Sequence, residues 1–476
     1  MPPTPDLQED TIVAISTPPG RGGIGILRLS GPAARTIAEP LLKLRHPLAP
    51  AQARFAQIID NTGETPGTVL DEAVVTYYAA PHSYTSEDIV EIAAHGSPVL
   101  LDHLLRQCLT AGARLAEPGE FTQRAFLSGR LDLTQAEAVH DLIEATTLHQ
   151  ARIAARQLGG ALSRQITPIK QQLIALIAPL EAGIDFAEDD IDLLPPNEIT
   201  TQIAAIQASL TTLEQTFVYG RIVRDGFSLA IIGRPNAGKS SLFNRLIQRD
   251  RAIVTATPGT TRDPVTERIS LEGIPVELID TAGLRHEQDH PLDEAESIGI
   301  TKSREAMAEA DVILLVLDAT APLHPEDKVI LAAATNRPFL AVINKQDLAA
   351  TTALTQQITK QIPDHQRTDQ PPHPAVETSA LTGTGIPELR RAILSLLTAN
   401  APSSETALLT NLRQQQAVAT ALAALSQAKR AIAANIPHEM LLLDLYAALQ
   451  ALDALTGVTT TDDILHLIFS KFCIGK

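Results

Sequence analysis

The run GRPNAGKSS, residues 233–241, constrains this chain more than any other segment. It follows the apolar stretch Phe227 to Ile232 and precedes a helical pattern, so it reads as a strand-to-helix turn of the form G-x-x-x-x-G-K-[ST]. Gly233 and Gly238 let backbone amides wrap phosphate oxygens with no Cβ in the way. Lys239 brings positive charge to the β- and γ-phosphates, and Ser240 a hydroxyl for Mg2+. The helix that follows points its positive end at the same place. Asn236, Ala237 and Ser241 complete the cradle. An ordinary glycine-containing turn is the competing reading, and the flanking strand and helix weigh against it.

A second motif selects the base. Asn344, Lys345 and Asp347, in N-K-x-D, follow the apolar run Phe339 to Ile343. A carboxylate at Asp347 accepts the N1 and exocyclic N2 hydrogens of guanine, and adenine offers no matching donor pair. Ser379, Ala380 and Leu381 end a further short strand and support the base from a loop. Asp280, Thr281, Ala282 and Gly283 follow Val276 to Ile279. Asp280 is suited to hold Mg2+ through water, and the Gly283 amide to sense the γ-phosphate. Thr255, Ala256, Thr257, Pro258, Gly259, Thr260 and Thr261 form the first switch loop, with Thr261 as the second Mg2+ hydroxyl. No Gln stands two residues after Gly283 to orient water. Arg262 and Arg285 are readable as arginine fingers or as ordinary surface residues. In this order the motifs resemble a translation-factor-type GTPase domain.

The rest of the chain sorts around that domain. Residues 1–10 read as a flexible start. Strands are expected at Thr11–Thr17, Ile24–Leu29, Glu72–Ala80 and Asp88–Ala94, then a helix opened by Ser97 with Leu101, Leu104, Leu105 and Cys108 on one stripe. Near Leu131 the pattern turns helical. Thr134 and Glu137 fit a capping box, and helical periodicity runs to about Phe217, broken at Gly159-Gly160 and Pro195-Pro196. It resumes over 406–476, with Leu441, Leu445, Leu449 and Leu452. Between these, Phe227–Ile232, Val276–Ile279, Val312–Leu317 and Phe339–Ile343 have the rhythm of a parallel sheet with helices on both faces. Residues 363–374 read as a surface loop. The expected fold is multidomain: an α+β N-terminal domain at 1–128, an all-α helical domain at 129–225 and 399–476, and an inserted α/β P-loop GTPase domain at 226–398.

Charge and composition narrow the function classes. With 55 acidic and 38 basic residues the net charge is −17, which argues against coating nucleic acid through the whole surface. Aromatic residues are 3% and Trp is absent, so extended stacking platforms for single strands are not expected. The two cysteines, Cys108 and Cys473, exclude a disulfide framework and favour a reduced, cytoplasmic setting. No apolar run reaches the ~18–20 residues of a membrane helix, and MPPTPDLQED has no secretory character.

Both ends of the chain carry a more specific signal. The N-terminal TPPGRGGIGILRLSG, the segments EFTQRAF (120–126) and LDLTQAEA (131–138), and the final FCIGK, together with the GTPase motifs, resemble the tRNA uridine-5-carboxymethylaminomethyl modification GTPase family (MnmE, or TrmE). The resemblance implies a homodimer formed through an N-terminal domain similar to tetrahydrofolate-binding folds. That domain would hold a 5-formyl- or methylene-tetrahydrofolate through Arg28, Glu91, Arg130 and Lys476. The family position at 130 is commonly Lys, and Arg keeps the charge while changing the donor geometry. An ordinary Arg28–Glu91 ion pair is the rival reading. Cys473 is implied as a catalytic thiol, against the alternative of a small buried hydrophobe; Cys108 reads as core. The resemblance further implies a K+ ion in place of an arginine finger, held by Asn236, Thr255, Thr257 and Thr260. The family has smaller or apolar residues where Thr257 and Pro258 stand. The water-orienting acid maps to Glu296, with Glu294 as rival. Implied partners are tRNA and a flavin-dependent protein carrying FAD (MnmG, or GidA) in a heterotetramer, with no membrane. An RNA- or ribosome-binding GTPase switch without modification chemistry, and a scaffold whose GTPase controls assembly, are the alternatives.

Overall fold

The computed structural model describes residues 10–61, 66–185, 194–247, 266–280, 310–334, 338–348, 375–398, 407–458, 465 and 468–475. The chain divides into two compact units. One comprises residues 1–140, 157–167 and 449–476, the other residues 141–156 and 168–448.

The first unit is built on a seven-stranded sheet. Its strands are β1 (Ile12–Ile15), β2 (Gly22–Ser30), β3 (Leu42–Leu44), β4 (Gln52–Asp60), β5 (Thr68–Tyr78), β6 (Ile89–Gly96) and β7 (Arg114–Leu115), in the order β3-β4-β5-β6-β2-β1-β7. Alternation decides which face each residue takes. Val13, Leu27, Leu29, Val75, Val90 and Ile92 bury one face together with Leu104 and Cys108 of the helix Pro98–Thr110. The residues between them face the other way. Ala14 pairs with Arg28, Arg28 with Glu91, and Glu91 with Thr76, so one register row runs across the opposite face. Ile12, Ala14, Ala116 and Phe121 form a small second core there.

This unit differs from the sequence reading in several places. β3, β4, β7 and the helix Glu120–Leu127 were not anticipated, and β5 starts at Thr68 rather than Glu72. The capping box is also displaced. The helix spans Leu133–Glu144, so Thr134 and Glu137 lie inside it. The reciprocal pair is Asp132 and Gln135: the Gln135 amide donates to Asp132 Oδ1 at 2.9 Å, and the Asp132 amide to Gln135 Oε1 at 3.0 Å. Asp is as good an N-cap as Thr, and it stands one residue outside the first turn, where the geometry requires it.

In the second unit the helices Pro196–Glu214 and Leu412–Ala433 pack together. Ile199, Ile203, Ile206, Leu210 and Leu213 form the stripe of the first, and Val418, Ala421, Leu425 and Ala428 that of the second. The small alanines let the two backbones approach. Asn411 caps the second helix by accepting from the Gln414 amide at 2.9 Å.

The unit's six-stranded sheet contains β8 (Phe227–Ile232), β9 (Thr266–Leu271), β10 (Ile274–Asp280), β11 (Val312–Asp318), β12 (Phe339–Asn344) and β13 (Val376–Glu377), ordered β13-β12-β11-β8-β10-β9. All pairings are parallel except β9 with β10, an antiparallel edge that the sequence reading missed. Leu314, Val316, Leu340 and Val342 enter the core on one face; Ile313, Leu315, Leu317, Phe339, Ala341 and Ile343 enter that on the other. Burial on both faces is why β11 and β12 are unbroken apolar runs. Each Val, Leu, Ile or Phe side chain among them contributes roughly 1.5–3 kcal/mol through burial. The parallel strands all end on one side, which places Gly233, Asp280, Asp318, Asn344 and Thr378 at one rim of the sheet. No described helix is long and apolar enough to cross a membrane.

Candidate functional site

At the end of β8 the backbone dictates the residues of the phosphate-type loop. Gly233 has φ +146°, and a Cβ there would lie 2.3 Å from the Val316 carbonyl oxygen. Gly238 has φ +94°, and its Cβ would lie 2.2 Å from Asn344 Nδ2. Asn236 takes the left-handed conformation, φ +64°, which Asn tolerates better than most residues. Asn236, Ser240 and Ser241 are exposed, the two serines in the first turn of the helix Lys239–Ile247. Lys239 as a residue is 9% exposed, and its ammonium donates to the carbonyls of Gly233 and Arg234 at 2.8 and 2.9 Å.

Asn344 is the joint of the site. Its side chain, 1% exposed, donates from Nδ2 to the Ala237 carbonyl at 3.1 Å. Its Oδ1 accepts from the Ala380 amide at 3.0 Å and more weakly from Thr378 Oγ1 at 3.5 Å. The phosphate-type loop and the 379–381 loop are thereby tied to one residue at the end of β12. Ser379 Oγ donates to Asp347 Oδ1 at 2.6 Å and fixes that carboxylate. A cleft opens between the loops, walled by Gly238, Ser241, Asn344, Lys345, Asp347 and Ala380.

Two residues of this site escaped the sequence reading. Asp318, ending β11, pairs with Lys345 Nζ at 2.6 Å and accepts from Thr320. Burial alone would raise its pKa, but the hydrogen bonds from Lys345 and Thr320 hold it below the ordinary value. Its position, an acid closing an apolar strand, was the available signal. Arg245, in the helix that starts at Lys239, donates from Nε to the Ala380 carbonyl at 2.9 Å and from Nη2 to the Leu381 carbonyl.

Asp280 ends β10, paired in register with Ile231. Thr255, Ala256, Thr257, Pro258, Gly259, Thr260, Thr261, Arg262, Thr281, Ala282, Gly283, Arg285, Glu294, Glu296 and Lys476 lie outside the described residues, as do residues 1–9 and 363–374.

A second constellation sits on the sheet of the other unit. Antiparallel register sets Arg28 opposite Glu91, and their side chains form an ion pair at 2.7 Å, partly buried. The guanidinium of Arg28 lies 5.6 Å from the Phe121 ring centre and 5.9 Å from that of Tyr84. The exposed Arg130 reaches Tyr84 from elsewhere, at 5.2 Å. Tyr84 is a residue the sequence reading passed over. Burial pushes its phenol up, and its hydroxyl is hydrogen-bonded to Thr122 Oγ1 at 3.0 Å.

The C-terminal tail ends here. Phe469 and Phe472 pack with Leu133 and Ala136, and Ile474 bridges to Pro118. The Gly475 carbonyl accepts from Ser16 Oγ at 3.0 Å and lies 3.5 Å from Arg28 Nη1. Gly475 has φ +95°, and a Cβ there would come within 2.7 Å of the Ile15 carbonyl oxygen. Cys473 is exposed, so the reading of it as a small buried hydrophobe fails. Cys108 is buried among the N-terminal core, and burial pushes its thiol up to about 12. In EFTQRAF the buried Arg124 pairs with Asp10, Glu87 and Glu120 at 2.5, 3.0 and 2.9 Å. That segment fastens the fold behind the Tyr84 loop.

Comparison with known proteins extends over the same elements. The family model of the MnmE helical domain matches residues 133–473, and that of the GTP-binding protein TrmE N-terminus matches residues 11–130. The chain is 54% identical over 469 residues to the tRNA modification GTPase MnmE of Koribacter versatilis, covering 98% of this chain and 99% of that one. It is 40% identical over 470 residues to the protein of that name from Acetivibrio thermocellus (98% and 100% covered). To that of Aquifex aeolicus it is 41% identical over 468 residues (98% and 100% covered). Matched from end to end by these relatives and by both family models, the chain belongs to the MnmE family of tRNA modification GTPases.

Proposed function

We propose that this chain is a potassium-activated GTPase that works with a flavin-dependent partner. Together they add a carboxymethylaminomethyl or aminomethyl group to C5 of the wobble uridine, position 34, of certain tRNAs. The observation that carries the reading is the meeting of the two chain ends. The Gly475 carbonyl is hydrogen-bonded to Ser16 beside Arg28, two residues after an exposed thiol. An exposed thiol on a tail whose Gly475 carbonyl reaches a cation–carboxylate pair, in a chain that also carries a guanine-nucleotide site, suits GTP-driven group transfer.

In the nucleotide site, Asp347 is already oriented by Ser379 to accept the guanine N1 and N2 hydrogens. Lys239 exchanges its two loop carbonyls for β- and γ-phosphate oxygens. Its ammonium is already held at the loop by those two carbonyls, so little reorganisation precedes that exchange. The exposed Ser240 hydroxyl, with Thr261 and Asp280, makes a set of hard oxygen donors that fits Mg2+. The exposed Asn236 amide, with Thr255, Thr257 and Thr260, fits K+. When bound, that ion supplies the positive charge an arginine finger would bring. Glu296, or its neighbour Glu294, orients the attacking water, and Gly283 senses the γ-phosphate.

Around the N-terminal pair the donor set fits a folate. Glu91 accepts pterin N–H groups, while Arg28, Arg130 and Lys476 meet its polar and carboxylate groups. The partly exposed Tyr84 offers a ring face. When bound, a tetrahydrofolate supplies a one-carbon unit, and the part of this chain is to hold it near Cys473. The proposed division of labour is 1–128 for folate binding and homodimer formation, and 226–398 for GTP hydrolysis, inserted between helical segments 129–225 and 399–476.

Two measurements test the reading. GTP hydrolysis is expected to be faster in potassium than in sodium at equal ionic strength, and Asn236→Ala to abolish that difference; equal rates in the two salts would sink the ion assignment. Calorimetric titration is expected to lose folate binding in Glu91→Ala, and wild-type affinity would remove Glu91 from the site.

A further inference from the structure

The helix Lys239–Ile247 does more than aim its N-terminus at phosphate. Two turns in, the partly buried Arg245 leaves the helix and reaches the 379–385 loop, where its Nε and Nη2 donate to the successive carbonyls of Ala380 and Leu381. The planar fork of a guanidinium suits two acceptors side by side, which a lysine cannot match. The same group lies against the bare backbone of Gly383, where a Cβ would come within 3.7 Å of Arg245 Cζ.

The loop it grips is a small closed turn. The Ser379 amide donates to the Thr384 carbonyl at 2.9 Å, and the Gly383 amide to the Ser379 carbonyl at 2.8 Å. It is linked to the carboxylate that reads the base through Ser379 Oγ on Asp347. Asn344 holds the turn from the strand side, through the Ala380 amide. Arg245 holds the next peptide unit, through the Ala380 carbonyl. The Ala380 residue is thus fixed at both its N–H and its C=O, and the second fixture comes from the phosphate-binding helix.

We propose that Arg245 is a specificity-determining positioning residue for guanine. It clamps the 379–381 loop to the phosphate-binding helix, so that the Ser379–Asp347 pair is aligned on the base when the phosphates are seated. The proposal rests on reading Asp347 and this loop as the base site. Arg245 donates to the Ala380 and Leu381 carbonyls from the last turn of the helix, away from the 233–241 loop, so its loss acts on base discrimination and leaves the chemical step alone.

The test is the ratio of ADP to GDP dissociation constants for the full chain, with kcat and KM for GTP beside it. In Arg245→Ala, GDP affinity is expected to fall about tenfold while the weak ADP affinity is unchanged. The discrimination ratio then drops tenfold, KM for GTP rises by a similar factor, and kcat holds. Arg245→Lys, with one donor centre, is expected to recover part of the ratio. Should the alanine variant fail to fold, Arg245→Gln carries the same test. A parallel loss for GDP and ADP, as a merely structural role would give, overturns the proposal, as does an unchanged ratio. Asp347→Asn serves as the control. If it keeps the wild-type preference for GDP, the base-site reading itself is wrong. If it loses that preference while Arg245→Ala keeps it, only the clamp is wrong.

Discussion

Replacing Asn344 with alanine is expected to loosen both halves of the nucleotide site at once. The side chain is 1% exposed and spans two loops, donating to the Ala237 carbonyl and accepting from the Ala380 amide. Alanine leaves one buried carbonyl and one buried N–H without these partners, at roughly 1–3 kcal/mol each. A water entering the vacated space recovers part of that, so the net cost is about 2–4 kcal/mol. This is roughly a 30- to 700-fold increase in the opening equilibrium of the 379–381 loop. Amide hydrogen exchange at Ala380 in the full chain reads that opening, and GDP titration reads its consequence. Asn344→Asp keeps the acceptor for Ala380 but loses the donor and adds a buried charge, so at neutral pH it should do no better than alanine. Protection at Ala380 within threefold of wild type in Asn344→Ala would refute the reasoning.

Further outcomes follow from the same geometry. Asp347→Asn should weaken GTP binding by about 2–4 kcal/mol and favour xanthosine triphosphate, whose C2 carbonyl accepts from the new amide; unchanged GTP affinity in a binding titration would count against the base assignment. Thiol alkylation of the native chain near pH 8 should label the exposed Cys473 and spare Cys108, whose thiol burial raises to about 12; equal labelling before denaturation would contradict the packing. For Asp10 and Glu120, burial pushes each carboxyl up, but hydrogen bonds from Arg114 and Arg124 outweigh it, and both end below their ordinary values of 3.8 and 4.5. A depressed pKa stabilises the fold above the ordinary value and loses that effect as pH falls through the folded one. The thermal midpoint should therefore drop below about pH 4. Arg124→Met should lower the midpoint at neutral pH and make that acid limb shallower, and an unchanged limb would show that the network contributes nothing.

The GTPase half of the fold was legible because its central strands are covered on both faces. β11 and β12 are apolar up to their last residue and β8 is interrupted only by Ser228, and polar site residues close or follow these strands. β4 was not legible. Its sequence QARFAQIID leaves Phe55 exposed and mixes polar residues into both faces, which resembles a loop as much as a strand. β9 is a short edge strand with the same ambiguity. The capping error came from choosing a good N-cap residue two positions inside the helix, where only backbone geometry distinguishes Thr134 from Asp132. The N-terminal constellation was reachable through family resemblance alone. Arg28 and Glu91 are 63 positions apart and meet by the register of β2 on β6, which no local spacing encodes. Arg245 and Asp318 lie outside the motifs they serve, and only the folded chain brings them to the site.

The most direct measurement is nucleoside analysis of tRNA from cells lacking this chain. Loss of the C5 modification on the wobble uridine is expected. The unmutated chain should restore it, and Cys473→Ser should not, while that variant still hydrolyses GTP. Persistence of the modified nucleoside in the deleted cells, or full restoration by Cys473→Ser, would contradict the account.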